Sequence, residues 1–257
     1  MGRSGAGRFP AHWPVRVRAF LRGELAPVPA RPAATVLLLR DGADGIEVFM
    51  LRRRATMAFA AGMYAYPGGA VEPGDASPAH AAVRETYEEA GVLLAGPAGG
   101  DGVVTEVPGP GGPPAFDAFL EHHGLTARTG LLAPWARWVT PEWEARRYDT
   151  WFFVAALPPG QRCRNASTEA DRTAWLRPAD ALAYGMLPPT VATLRALLPY
   201  AEAGGRAEDV RAAAAAAPVP GPVMARAAVE GGDVVVSWPG YEDFGGRLPA
   251  APREPRP

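Results

Sequence analysis

Apolar positions along the chain switch between two periods. Residues 33–40 form an almost unbroken apolar run and residues 46–52 a second one. Asp41-Gly42 and Asp44-Gly45 lie between them, so the start of the fold is predicted to be a β-hairpin. Two later stretches, 131–139 and 148–157, are rich in aromatic and β-branched residues and predict further strands, with a short one at 173–176. Elsewhere the period lengthens to that of a helix. Ser77 offers a cap, Pro78 is tolerated in a first turn, and Gly91 can adopt the left-handed stop. Between them Ala79, Val83, Thr86 and Ala90 fall on one stripe, able to pack on a sheet. Fainter helical signals cover 115–123, 178–184 and 189–198, the last periodic in Val191, Leu194 and Leu197. Residues 223–238, centred on Gly231-Gly232, predict a terminal hairpin.

Three stretches depart from that patterning. Residues 1–31 are rich in Pro, Gly and Arg and predict a flexible arm. Residues 96–114 predict a Gly/Pro-rich surface insertion, and 216–257 a C-terminal hairpin and tail whose last dozen residues fray. One main domain over 32–215 remains. The whole chain's net charge of -1 provides no field that would draw it to nucleic acid or an anionic membrane. All 26 basic residues are arginine, which excludes a lysine-bearing phosphate loop and any lysine Schiff base. Cys163 is alone, so one chain can build neither a disulfide nor a cysteine-rich zinc site, and a reducing cytoplasm suits it. The longer apolar runs, such as 151–157, fall far short of the roughly 20 residues that span a bilayer. Arg3, Arg8, Arg16, Arg18 and Arg22 hint at a transit peptide, but Pro10, Pro14 and Glu24 interrupt any amphipathic helix there. His12, His80, His122 and His123 lack metal-site spacing.

The helix predicted between Ser77 and Gly91 carries an arrangement that local stability does not explain. Glu85, Glu88 and Glu89 stand at i, i+3 and i+4, where like charges repel by a few tenths of a kcal/mol, roughly, per pair. The last two also sit at the negative end of the helix dipole, at a cost of roughly 0.3–1 kcal/mol. Arg84 relieves part of this through Glu88; a divalent cation would relieve far more. A glutamate pair on a helix is ordinarily a solvated face, but the context here is unusual. Just upstream, Tyr66-Pro67-Gly68-Gly69 can bring backbone close to whatever the carboxylates bind, and Glu72 and Asp75 add two acids to the following turn.

These residues resemble the Nudix hydrolases, whose signature is Gly, five residues, Glu, seven residues, then Arg-Glu-apolar-any-Glu-Glu-any-Gly-apolar. Here it reads Gly69, five residues, Asp75, eight residues, then Arg84-Glu85-Thr86-Tyr87-Glu88-Glu89-Ala90-Gly91-Val92. Asp replaces the first Glu, one residue is added before Arg84, and Thr86 takes an apolar place. The added residue falls before the helix and leaves the phase of the glutamates intact, so it bears on Asp75 alone. A longer similarity through 57–69, 146–155 and 187–190 resembles the branch containing peroxisomal acyl-coenzyme A diphosphatases and bacterial relatives, over about residues 32–200. That branch's arginine-rich coenzyme A signature is partly met, with Arg53 and Gly62 present but Ala58 where a second Arg is expected.

The resemblance implies an α/β (α+β) Nudix fold, a mixed central sheet sandwiched between helices. It implies Mg²⁺ or Mn²⁺ held by Glu85, Glu88 and Glu89 with the Gly69 carbonyl, Glu85 or another carboxylate activating water, and Arg84 orienting Glu85 or Glu88. Asp75 and Glu169, or Asp171, are further acids in this reading, against the ordinary alternative of a solvated loop. Arg52, Arg53 and Arg54 either hold phosphate or form an exposed basic cluster, and Asp149 either meets substrate or makes a buried structural hydrogen bond. The implied substrate is a small diphosphate, a coenzyme A derivative ahead of nucleotide sugars, dinucleotides and nucleoside triphosphates. A sensor of the same fold that binds such a ligand without hydrolysis is the alternative, and a scaffold role a third. A homodimer stays open.

Overall fold

The computed structural model describes residues 9–56, 60–108 and 115–250. Ala58, the rest of 57–59, residues 109–114 of the insertion, and both chain ends lie outside the described residues. In chain order the elements begin with α1 (Trp13–Leu21), β1 (Arg31–Gly42), β2 (Gly45–Arg53), β3 (Tyr64–Ala65), β4 (Gly68–Ala70) and α2 (Pro78–Ala90). Then come β5 (Ala95–Pro97), α3 (Phe116–His122), β6 (Leu125–Ala127), β7 (Ala133–Val139), β8 (Tyr148–Ala156) and β9 (Ala170–Leu176). The chain finishes with α4 (Pro178–Ala181), α5 (Pro188–Glu202), α6 (Ala207–Ala216), β10 (Pro222–Met224), β11 (Arg226–Glu230), β12 (Asp233–Ser237) and β13 (Gly246–Arg247).

Contacts group the chain into two compact units, the larger comprising 32–137 and 150–221. Its sheet runs β7-β8-β1-β2-β3, with β4 pairing β1 and β9 pairing β2. The predicted hairpin is there: β1 and β2 are antiparallel and Gly42 faces Gly45 across a two-residue turn. On its other side β1 runs parallel to β8, since Arg31 N–H donates to Arg147 O at one end and Leu157 N–H to Leu39 O at the other. The sheet is therefore mixed, in the α+β architecture expected of the sequence. Seven consecutive positions of β1 are buried, which requires cover on both faces. Ala81, Ala82, Val83 and Ala90 of α2 join Val36, Leu38, Phe49, Leu51 and Phe153 of the sheet in one apolar cluster. That seats the acidic helix firmly on β1 and β2.

The smaller unit comprises 9–31, 138–149 and 222–250 among the described residues, so the described part of the predicted arm, 9–31, carries a packed helix. Residues 13–21 form α1, with Pro14 in the first turn, where a missing N–H costs nothing. Trp13 and Val17 are buried, and the Trp13 ring meets Trp143 edge-on at 5.2 Å and stacks on Trp238 at 5.9 Å. The predicted terminal hairpin is β11–β12, with Glu230 opposite Asp233 across the glycine pair. The insertion also gains structure, because Gly96 pairs with Thr126 in a β5–β6 ladder. Helix α6 was not anticipated, its alanine-rich sequence carrying little periodic contrast. Among the described residues no helix is long and apolar enough to cross a membrane.

Candidate active site

Helix α2 starts and stops where its sequence dictates. The Ser77 hydroxyl accepts from His80 N–H at 3.2 Å, Pro78 opens the first turn, and Gly91 ends the helix at φ +66°. From that frame Arg84 projects inward, its side chain 7% exposed, and binds four groups at once. It grips both Asp75 oxygens at 3.1 and 2.9 Å, Glu85 Oε1 at 2.9 Å, Glu88 Oε2 at 3.0 Å and the Ala70 carbonyl at 3.1 Å. Burial opposes the guanidinium's charge, but Asp75 and Glu85 outweigh it and hold the group protonated.

Asp75 is thus placed on Arg84 rather than among the glutamates. Its carboxylate also accepts from Glu72 N–H at 2.8 Å and meets His80 Nδ1 at 3.2 Å. Burial pushes its pKa up, yet these partners prevail and leave it below the ordinary carboxylate value.

Glu89 and Glu85 line the strand side of the helix. Gly68 N–H donates to Glu89 Oε2 at 2.9 Å, and the Ser167 hydroxyl donates to Oε1 at 3.2 Å. Burial pushes the Glu89 pKa up to about 7, with the Glu85 charge adding to it, and burial likewise raises Glu85. Both glycines of the predicted motif are required by space. A Cβ at Gly68 would lie 2.6 Å from Thr35 Cα, and one at Gly69 would run into the Glu85 carboxylate. Glu88 is more open, its side chain 45% exposed.

The remaining predicted residues are distributed as follows. Arg52 pairs with Asp171 of β9 at 2.7 Å and Arg53 with Glu169, just before β9, at 3.4 Å. Glu169 and Arg53 line a shallow, solvent-open crevice together with Glu89, Ser167, Tyr66 and Leu51, whereas Asp149 belongs to the smaller unit at the start of β8. The four histidines bind no common site: His12 meets Glu144, His80 meets Asp75 and Asp117, and His122 stacks edge-on with His123. Burial pushes the Cys163 thiol up to about 12, so it stays protonated and inert. Ser167 was missed from the sequence, since a lone serine in a polar loop carries no signal.

Carboxylates beside a glycine backbone are the donor chemistry that Mg²⁺ and Mn²⁺ prefer, and two part-buried acids with raised pKa values form a pair that a dication would compensate. Among the described residues no three His, Cys, Asp or Glu side chains stand in a metal-binding cluster. Arg84 binds one oxygen each of Glu85 and Glu88, which leaves the other oxygen of each carboxylate to an ion. The donor set fits a hard cation in chemistry.

A mixed sheet that presents two glycines to the carboxylates of a capped acidic helix defines a class of α+β domain built around one charged helix. The NUDIX domain model matches residues 29–200, and the chain belongs to the Nudix family. A Nudix hydrolase of Alicyclobacillus acidocaldarius is 31% identical and covers 74% of this chain and 99% of its own, with a TM-score of 0.64. A probable nudix hydrolase of Schizosaccharomyces pombe is 40% identical over 65 residues, 25% of this chain and 23% of that protein. The acyl-coenzyme A diphosphatase of Homo sapiens is 38% identical over 99 residues, 30% of this chain and 26% of that protein. The chain thus covers about a quarter of the length of these two relatives.

Proposed function

We propose that the chain is a divalent-metal-dependent pyrophosphohydrolase that cleaves the diphosphate of a coenzyme A derivative, ahead of nucleotide sugars, dinucleotides and nucleoside triphosphates. The observation that carries this reading is the packing of Glu85 against Gly69 and of Glu89 against Gly68, which gathers the signature acids at a backbone without side chains. Glu85, Glu88 and Glu89 with the Gly69 carbonyl would hold Mg²⁺ or Mn²⁺. When bound, such an ion supplies charge neutralisation on the diphosphate and a lowered water pKa. Glu85 is the group assigned to orient and deprotonate the attacking water, its proton affinity already raised by burial. Arg84 positions Glu85 and Glu88 from behind, and Arg53 at the crevice takes a phosphate oxygen. The coenzyme A preference rests on the likeness to the acyl-coenzyme A diphosphatase.

The second reading, a ligand sensor without hydrolysis, is favoured by one observation, the engagement of Glu85 and Glu88 by Arg84. Purified protein assayed with Mg²⁺ or Mn²⁺ against a diphosphate panel separates the two, with Glu88→Gln and Glu89→Gln alongside. Metal-dependent turnover that falls in both variants supports the enzyme. Ligand-dependent thermal stabilisation with the ligand recovered intact supports the sensor.

A further inference from the structure

The loop between β8 and β9 is bound to the end of the acidic helix. Arg164 N–H donates to the Ala90 carbonyl at 2.9 Å and Ala166 N–H to the Glu89 carbonyl at 3.2 Å, so the loop caps carbonyls that the helix itself leaves unpaired. The Arg164 side chain lies over Gly91, 2.6 Å from where a Cβ would stand. One residue on, the Ser167 hydroxyl accepts from Glu169 N–H at 3.1 Å and donates to Glu89 Oε1 at 3.2 Å. A hydroxyl has one hydrogen, and the bond from Glu169 N–H takes a lone pair, which aims that hydrogen at the carboxylate. The loop is anchored beyond this point as well, because Arg54 N–H donates to the Glu169 carbonyl at 2.9 Å. With Gly68 N–H on the other oxygen, Glu89 has both carboxylate oxygens tied, one to the glycine strand and one to the loop.

We propose that Ser167 is a positioning residue: its hydroxyl, steered by Glu169 N–H, fixes the carboxylate plane of Glu89 and thereby sets the affinity of the acidic helix for a divalent cation. This rests on the metal-dependent reading above. The two anchors differ in kind. Gly68 N–H sits in the β4–β1 ladder and only proline would remove it, at a φ of +157° that proline cannot adopt, whereas the serine hydroxyl is a single detachable group on a loop. Hydrogen-bond partners behind a metal ligand typically change metal affinity or activity by about 10- to 100-fold when removed.

The test uses the full chain as wild type, Ser167→Ala and Ser167→Thr. Mn²⁺ binding is followed by calorimetry, turnover of a diphosphate substrate is measured over a Mn²⁺ titration, and metal-free melting temperatures are recorded. Ser167→Ala is expected to weaken Mn²⁺ binding by about tenfold and to raise the Mn²⁺ concentration for half-maximal turnover equally. KM for the diphosphate should stay the same at saturating metal. Ser167→Thr, which keeps the hydroxyl, should restore Mn²⁺ binding, and all three proteins should melt together without metal. Equal Mn²⁺ affinity in wild type and Ser167→Ala, or a common fall in melting temperature without rescue by Thr, overturns the role of Ser167 alone. A wild type that neither binds Mn²⁺ nor turns over substrate overturns the enzymatic reading and this inference with it.

Discussion

At the scale of single residues the site is organised by Arg84, whose planar fork serves Asp75, Glu85, Glu88 and the Ala70 carbonyl from a buried position. Arg84→Ala leaves the Asp75 side chain, 2% exposed, with only Glu72 N–H and His80 as partners, and should cost up to about 3–5 kcal/mol in urea unfolding. Arg84→Lys should recover only part of this, because one ammonium cannot bridge both Asp75 oxygens and two glutamates; a lysine variant as stable as wild type would refute the argument. Glu89 gives the site a pH dependence of opposite sign to Asp75. Its folded pKa, raised by burial from 4.5 to about 7, means that the folded state holds the proton more tightly than the unfolded chain. The stability this confers is full below pH 4.5 and is lost as pH rises to about 7, by about 3 kcal/mol at most. Asp75, held below its ordinary 3.8 by Arg84 against burial, contributes above that value and loses its effect as pH falls. Melts in EDTA between pH 4.5 and 8 should therefore show wild type losing stability relative to Glu89→Gln, and parallel curves would sink the assignment.

The elements differ in how much of them the sequence reveals. Helix α2 was legible to the residue, because Ser77, Pro78 and Gly91 each have a local reason to be where they are. The β1–β2 hairpin was equally plain, its apolar runs being long and its turn glycines paired. The strands β3 and β4 escaped, being two and three residues long and defined by partners distant in sequence. The same limit hid Ser167, since its role comes from the fold bringing the loop to Glu89. The glycines of these elements separate folding from chemistry. Gly91→Ala forces an alanine to φ +66° and against Arg164, so it should destabilise by about 1–2 kcal/mol. Gly69→Ala instead adds a methyl that displaces the Glu85 carboxylate, and should lower turnover by about 100-fold, the size expected of a 1 Å misplacement. Its melting temperature should fall by less than that of Gly91→Ala; the reverse ranking would mean that Gly69 serves the fold rather than the site.

At the scale of the whole molecule, sequence reading drew the boundary along the chain, whereas contacts draw it in space. Residues 9–31, the 138–149 connection and the C-terminal segment are far apart in sequence, the first and last read as extensions and the connection as part of the main domain, yet they form one unit. Their bond is aromatic. Trp143, 1% exposed, takes Trp13 edge-on and Phe20 at 6.1 Å, and its backbone carbonyl accepts from Arg16 Nε at 2.7 Å. Trp13 in turn stacks on Trp238 from the C-terminal segment. No periodicity announces such a cluster, because each ring comes from a different stretch of chain. If the cluster holds the unit together, Trp143→Ala should cost about 3–5 kcal/mol in urea unfolding, as expected for emptying a large buried site. It should also weaken the near-ultraviolet circular dichroism of the packed indoles. Trp143→Phe separates ring packing from polarity, since it keeps an aromatic ring and removes an indole N–H that is buried without a hydrogen-bond partner. Its cost should be much smaller than that of Ala. A Trp143→Ala protein with unchanged unfolding midpoint and unchanged spectrum would show that the three segments are held by something other than their tryptophans.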